Sequence, residues 1–266
     1  MKALYFNTFH KEYRNRAIIF LAVITIVVIL TSNALLSYLR EEVLAQMSLE
    51  AVGQNSLLAF YYIIGSWSSF IAIYIGIGSI KSDIDSGALI QLLSFPISRT
   101  QYFLTRILGS FSIVVLYYLL SLILAMVLFS LATHNVVFSW GVLGALVFSS
   151  LDIFFVILLS AFVSIRFGTL KTFVAVILLM MVMSFSSMKW GNQEWQQVYK
   201  DFGIIDTFTF IIYWLLPRLK SISDFSTSML IEKEFPKNWW ADLIHYFGTT
   251  LLWSTIFVKS FSKSDL

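Results

Sequence analysis

The chain has 266 residues, of which 58% are hydrophobic, 17% aromatic and only 12% charged, and its mean hydropathy is +0.82. That leaves too little polar surface to clothe a water-soluble globule, so the composition is that of an all-α integral membrane bundle. A net charge of +3 without a basic patch speaks against a nucleic-acid partner, and the lack of cysteine excludes disulfides, thiolate nucleophiles and thiolate metal sites.

Residues 1–16 come first in chain order. Phe6, Phe9, Tyr13 and Ala17 recur at helical spacing opposite Asn7, His10, Lys11 and Arg14, which predicts an amphipathic helix lying in the membrane interface. The apolar run behind it is too long for a signal sequence and no small-residue cleavage site follows, so this leader is expected to stay. Six segments are then expected to cross the bilayer within one domain over 17–266: 17–38, 57–80, 107–132, 140–165, 172–188 and 241–258. Lys171 and Lys259, at the ends of the two short spans, must snorkel to the interface.

The first span carries the polar residue Asn33. In the second, Gly65, Ser69, Ala72, Gly76 and Ser79 follow one another at intervals of 4, 3, 4 and 3, the pattern of close helix packing. The neighbouring GIGSIKS lacks the spacing of a phosphate-binding loop, so no nucleotide site is expected on this chain.

Between the second and third spans lies the polar segment 81–106. Asp83 and Asp85 precede Leu89, Leu92, Leu93 and Ile97, which predicts a short amphipathic helix with acids at its positive end. Pro96 stops that helix, and Ser98 with Gln101 three residues on can form a capping box that opens the next.

Asp152 falls near the middle of the fourth span, on one face with Gly141, Ala145, Ser149, Ser160 and Ser164. A carboxylate there is expensive in lipid, so it is expected to face protein. It is either part of a substrate or proton pathway, with Asn33 a candidate partner by depth, or an acid that locks helices together. Met180, Met181, Met183 and Met188 are soft donors, but without Cys or paired His they do not make a metal site.

The segment 189–240 is aromatic, mixed in charge and too long for a turn, so it is expected to fold. Ile204 to Leu216, ending at Pro217, has the length of a re-entrant or interfacial helix. Orientation follows from the basic residues: with an inside N-terminus, the short outer loops hold only Arg40, whereas Lys2, Lys11, Arg14, Arg16, Lys81, Arg99, Arg106, Arg166, Lys171, Lys259 and Lys263 lie inside. Trp140, Trp190, Trp239 and Trp240 then fall at outer boundaries, with Trp195 and Trp214 between them in the outer segment, and both termini are cytoplasmic.

The residues Asp85, Gly87, Ala88, Leu89, Gln91, Leu92, Leu93, Ser94, Pro96, Ile97, Ser98, Arg99 and Arg106 resemble the segment E-x-G-T-L-E-x-L-L-S-x-P-[IV]-S-R that joins the second and third spans in permease subunits of ABC type-2 transporters. Asp replaces Glu at 85, Ala replaces Thr at 88 and Gln replaces Glu at 91. The resemblance extends to an N-terminal interfacial helix, six spans and a large outer segment before the last.

It implies that Asp85, Gly87, Leu89, Leu92, Leu93, Pro96, Ile97, Ser98 and Arg99 form a coupling helix docked on a separate ATP-binding cassette subunit. That partner would hold ATP and magnesium, and this chain would bind no cofactor and catalyse no reaction. It also implies a second permease copy or related permease, export as the direction, and a bacterial or archaeal plasma membrane. Short outer helices near 189–240 would cap the pathway. The rivals are an ion-coupled carrier using Asp152 and a permease-like subunit of a protein-maturation or motility complex. No catalytic His, Ser or paired-acid pattern supports an enzyme.

Overall fold

A computed structural model describes residues 2–13, 16–42, 49–133, 140–191, 203–231, 234–236 and 238–263. Ten helices form among them and no strand. They are α1 Lys2–Tyr13, α2 Arg16–Glu42, α3 Leu49–Asp85, α4 Ala88–Leu93, α5 Arg99–Thr133, α6 Trp140–Ser164, α7 Thr169–Trp190, α8 Ile204–Leu215, α9 Leu219–Leu230 and α10 Trp239–Lys263. Asn33 and Arg40 belong to α2 but their side chains, like the whole of Trp195, lie outside the described residues.

Four stretches are long and apolar enough to cross a membrane: Leu58–Asp85, Arg99–Leu128, Trp140–Ser164 and Thr169–Trp190. They correspond to the second to fifth expected spans, to within four residues at the ends where they fall short. The first and sixth expected spans lie within α2 and α10, where the described apolar part of α2 is Ile19–Ser32 and α10 is interrupted by Asp242, His245 and Lys259.

Helices α3 and α6 form the most extensive pairing, with α5 against α3 and α9 against α6. Apolar burial gives little drive between helices already in lipid, so close backbone approach and polar contacts must hold them. The expected small-residue stripe of α3 supplies the approach over half its length. Ala72, Gly76 and Ser79 are buried, and a Cβ built at Gly76 would stand 2.9 Å from the Ile157 carbonyl oxygen and 2.9 Å from the Ser160 Cβ. At Gly65 nothing comes within 4 Å. There Ser69 and Gly65 face a cavity instead of α6.

The N-terminal helix differs from its sequence pattern. Leu4 and Thr8 are buried against α5 while Phe6 is 57% exposed, so the face turned to the bundle is Leu4–Thr8–Lys11, with Phe9 at its edge. Close approach decides this, because Thr8 packs onto Gly109, where a Cβ would meet its Cβ at 2.8 Å. Tyr5 adds a hydroxyl bond to Ser112 Oγ at 2.7 Å.

The described part of the segment after α7 is folded into α8 and α9. Asp206 accepts from the Gly203 amide at 3.0 Å and from Lys189 of α7, and these donors hold its carboxyl below the usual range. The extended Leu216 and Pro217 then end α8. Arg218 turns back under α8, its guanidinium 3.9 Å from the Tyr213 ring centroid and 4.9 Å from that of Trp214, and donates to Asp242 in the first turn of α10 at 2.6 Å. Trp253 closes the corner by donating to the Leu215 carbonyl at 2.8 Å. Helix α9 then lies on α6, with Phe225 edge-on to Phe148 at 4.5 Å and Met229 against Gly144.

If the α3–α6 approach is the keystone, Gly76→Ala should destabilise the detergent-solubilised protein by about 1–3 kcal/mol, the usual cost of overpacking. Gly78→Ala, with nothing within 4 Å of the added Cβ, should leave the melting midpoint unchanged or raise it. The two midpoints, measured side by side, check the claim.

Candidate functional site

Two places in the bundle hold polar groups that packing alone does not account for. The first lies where α3 hands over to α5. Helix α3 runs on to Asp85, beyond the apolar stretch, and α5 begins at Arg99, so the expected loop 81–106 contracts to residues 86–98. Asp83 and Asp85 therefore close α3 and do not open the short helix.

Gly87 takes φ +70° and its amide bonds back to the Ile84 carbonyl at 3.1 Å. Only glycine adopts that conformation without strain, which gives Gly87 a physical role as the stop of α3. The chain re-enters a helix at once as the six-residue α4. Beyond Pro96, the Ser98 amide donates to Gln101 Oε1 and the Gln101 amide to Ser98 Oγ, both at 3.2 Å. This is the reciprocal capping box read from the sequence, and it starts α5 at Arg99.

The apolar face of α4 points inward. Leu89 is buried, and Leu92, Leu93 and Ile97 are half-buried against the chain's own core. The outward groups are Ile90, 73% exposed, and Phe95, 61% exposed, with Gln91, Ser94 and Pro96 around them. Asp85 is also exposed and pairs with Lys81 at 3.3 Å, a contact of little energetic weight in water.

Under this loop lies a clamp that no sequence pattern announced. Asp83 accepts from Lys11 Nζ at 2.7 Å through Oδ1, and from the Tyr102 hydroxyl at 2.6 Å and the Arg106 guanidinium through Oδ2. Arg106 also donates to Thr8 Oγ1 at 2.9 Å, and Lys11 to Ser82 Oγ at 2.6 Å. The ring of Tyr102 stacks on Phe261 of α10, 6.1 Å apart at 18°. One carboxylate with two cations thus ties α1, α3 and α5 together, and the stack brings in α10.

The second place is a cavity of about 300 Å³ between α3, α5, α6, α7 and α9. Its polar wall is made by Tyr61, Tyr62, Tyr118, Ser149 and Asp152, and Lys220 of α9 lines it as well. Asp152 stands twelve residues from either end of α6, or about 18 Å at the helical rise. Tyr61 and Ser149 are bonded hydroxyl to hydroxyl, bridging α3 and α6 at the level where small residues no longer touch. Asp152 Oδ1 is sealed from solvent and has no hydrogen-bond partner among the described residues.

An adjoining groove of about 420 Å³ shares Ser66, Ser69, Met180 and Ser184 with the cavity and is otherwise walled by Phe70, Ile73, Ile177 and Met181. Met180 and Met181 of α7 thus line apolar space. Sequence reasoning singled out Asp152 by its depth but not Tyr61 or Tyr118, because tyrosines are unremarkable in an aromatic-rich membrane chain.

No protein-family model matches the chain, and no curated protein does. Its function has to be argued from these two places.

The clamp makes a graded prediction. Asp83 and Arg106 have side chains only 5% and 3% exposed, while that of Lys11 is 35% exposed. Asp83→Asn strands a buried guanidinium and should cost about 3–5 kcal/mol, whereas Lys11→Met should cost about 1 kcal/mol or less. Thermal unfolding in detergent checks the order, and joint replacement of Asp83 by Asn and Arg106 by Gln should recover part of the loss.

Proposed function

We propose that this chain is the membrane-spanning permease subunit of an ATP-binding cassette transporter of type 2, working as an exporter. A separate subunit hydrolyses ATP, and a second permease copy or related chain completes the pathway. On this reading α2 and α10 join the four long apolar helices as the first and sixth spans, α1 lies along the inner interface, and both termini are cytoplasmic in a bacterial or archaeal plasma membrane.

One observation carries the proposal. The segment whose residues resemble the family's coupling motif is folded as helix, left-handed glycine, one-and-a-half-turn helix, proline break and capped helix. Each motif residue that fixes the backbone, Gly87, Pro96 and Ser98, stands at the joint it would have to make. Leu89, Leu92, Leu93 and Ile97 anchor the element to the bundle, and Ile90 and Phe95 form the apolar tip that an ATPase cleft would grip. Arg99, at the head of α5, lies beside that tip in sequence and suits acidic groups on such a partner.

The clamp beneath supports a mechanical role, since a push on α4 meets a base pinned to three other helices. At the other end of the bundle, Leu219, Lys220 and Ser223 of α9 line the cavity, a placement suited to an outer gate. The unpartnered Asp152 favours a second reading, an ion-coupled carrier, in which α4 would have no motor to serve.

Co-expression with ATP-binding cassette subunits of the same cell discriminates between the two. Ile90→Asp and Phe95→Asp should abolish co-purification and ATPase stimulation while leaving the melting midpoint of the isolated chain within about 1 kcal/mol equivalent, because both side chains are surface groups. A carrier would be indifferent to both changes. The chain contains no cysteine, so Ser94→Cys supplies a single thiol, and its labelling by an impermeant maleimide from outside intact cells would end the permease proposal.

A further inference from the structure

We propose that the cavity beside Asp152 binds an amphipathic organic cation, with an ammonium head against the carboxylate and tyrosine rings and an apolar tail along the groove between α3 and α7. The inference rests on the reading that this bundle moves a cargo, and adds the chemical class of that cargo.

The first argument is satisfaction. A buried polar atom without a partner is costly, and a carboxylate at mid-membrane more so. Asp152 Oδ1 has no hydrogen-bond partner among the described residues, and its side chain lines a cavity of about 300 Å³. A donor in that space stands beside a carboxyl whose hydrogen bonding the chain itself leaves incomplete.

The second argument is charge. The ionisable side chains on the cavity wall are Asp152, Lys220 and three tyrosines. Lys220 is already held by Asp224 at 3.0 Å, so Asp152 is an acid on this wall with no ion-pair partner among the described residues. Tyrosine faces add attraction for an organic cation once water is excluded.

Shape supplies the third argument. A bare metal ion would leave most of the volume unfilled and would find one carboxylate, where hard divalent ions take six or more oxygens. The polar cavity is continuous with an apolar groove through Ser66, Ser69, Met180 and Ser184, and that groove ends among Phe70, Ile73, Ile177 and Met181. A cavity with one polar wall adjoining an apolar groove matches a molecule with a charged head and a hydrocarbon tail.

The test uses the chain alone in phosphatidylcholine nanodiscs, with empty discs as the blank and equilibrium dialysis as the readout. Three probes share one tail: 4-phenylbutylamine, 4-phenylbutanol and 4-phenylbutanoate. The amine should bind about tenfold more tightly than the alcohol, as one charge-assisted hydrogen bond would give, and the carboxylate should not bind measurably. Asp152→Asn should bring the amine down to the level of the alcohol. Should that variant fail to fold, Ser66→Phe, which places a ring at the junction of chamber and groove, should abolish binding of both. Equal binding of amine and alcohol to the unaltered chain, or an amine preference that survives Asp152→Asn, would overturn the proposal and leave a merely hydrated cavity. Because binding is measured without an ATPase subunit, its failure leaves the coupling proposal standing, and failed co-purification leaves the binding result standing.

Discussion

Contact between α3 and α6 at Gly76 sets the geometry of the rest. There the backbone of Ile157 and the side chain of Ser160 press against a residue that has no side chain, closer than any Cβ would permit. Between helices in lipid such approach is the main source of cohesion, since dispersion and backbone dipoles replace the hydrophobic drive of water. Toward the start of α3 the same stripe reaches Gly65, eleven residues or about 16 Å away, and finds nothing to touch. Tyr61 and Ser149 bridge the gap instead, and the cavity is what lies between the tight contact and the bridge.

At the opposite end of α3 the helix must stop, and its last carbonyls carry a partial negative charge that Asp83 and Asp85 worsen. Lys11 and Arg106 offset this, one from α1 and one from α5. The stop itself is Gly87, so the chain turns into α4 without an exposed flexible stretch, and Ser98 and Gln101 restart it just as abruptly. A push on Ile90 or Phe95 would therefore be passed to α3 and α5 with little slack. That stiffness is the physical content of a coupling role, whichever protein supplies the push.

What was legible in the sequence was local. The Pro96 break and the Ser98–Gln101 cap depend on neighbours three residues apart, and both stand as read. All six apolar segments lie in helices, because hydropathy reports on solvent and needs no partner, although it ends where the membrane ends and so stopped short of Asp85 and Arg99. Non-local facts were hidden. Lys11 meets Asp83 across 72 positions, and nothing in either neighbourhood points to the other. Thr8, a polar residue on the buried face of α1, is there because Gly109 lets it approach, a constraint no periodicity records. The leucines of α4 share a face, as the spacing required, but spacing cannot say whether that face meets a partner or the chain's own core.

Asp83 and Asp152 show how differently one residue type is treated in one bundle. Asp83 lies at a helix end, where lysine and arginine can reach it, and receives donors from Lys11, Tyr102 and Arg106. A charge so paired is structural, since removing Asp83 or Arg106 leaves the other buried and poorly compensated. Asp152 lies at the centre of α6, takes no bond at Oδ1 among the described residues, and lines a cavity walled in part by hydroxyls and rings. An acid kept only to lock helices would be expected to spend its acceptors on neighbouring helices, and Tyr246, close at hand, gives its hydroxyl to the Leu151 carbonyl at 2.7 Å. On the binding proposal, that unmet acceptor is what an incoming ammonium group would satisfy.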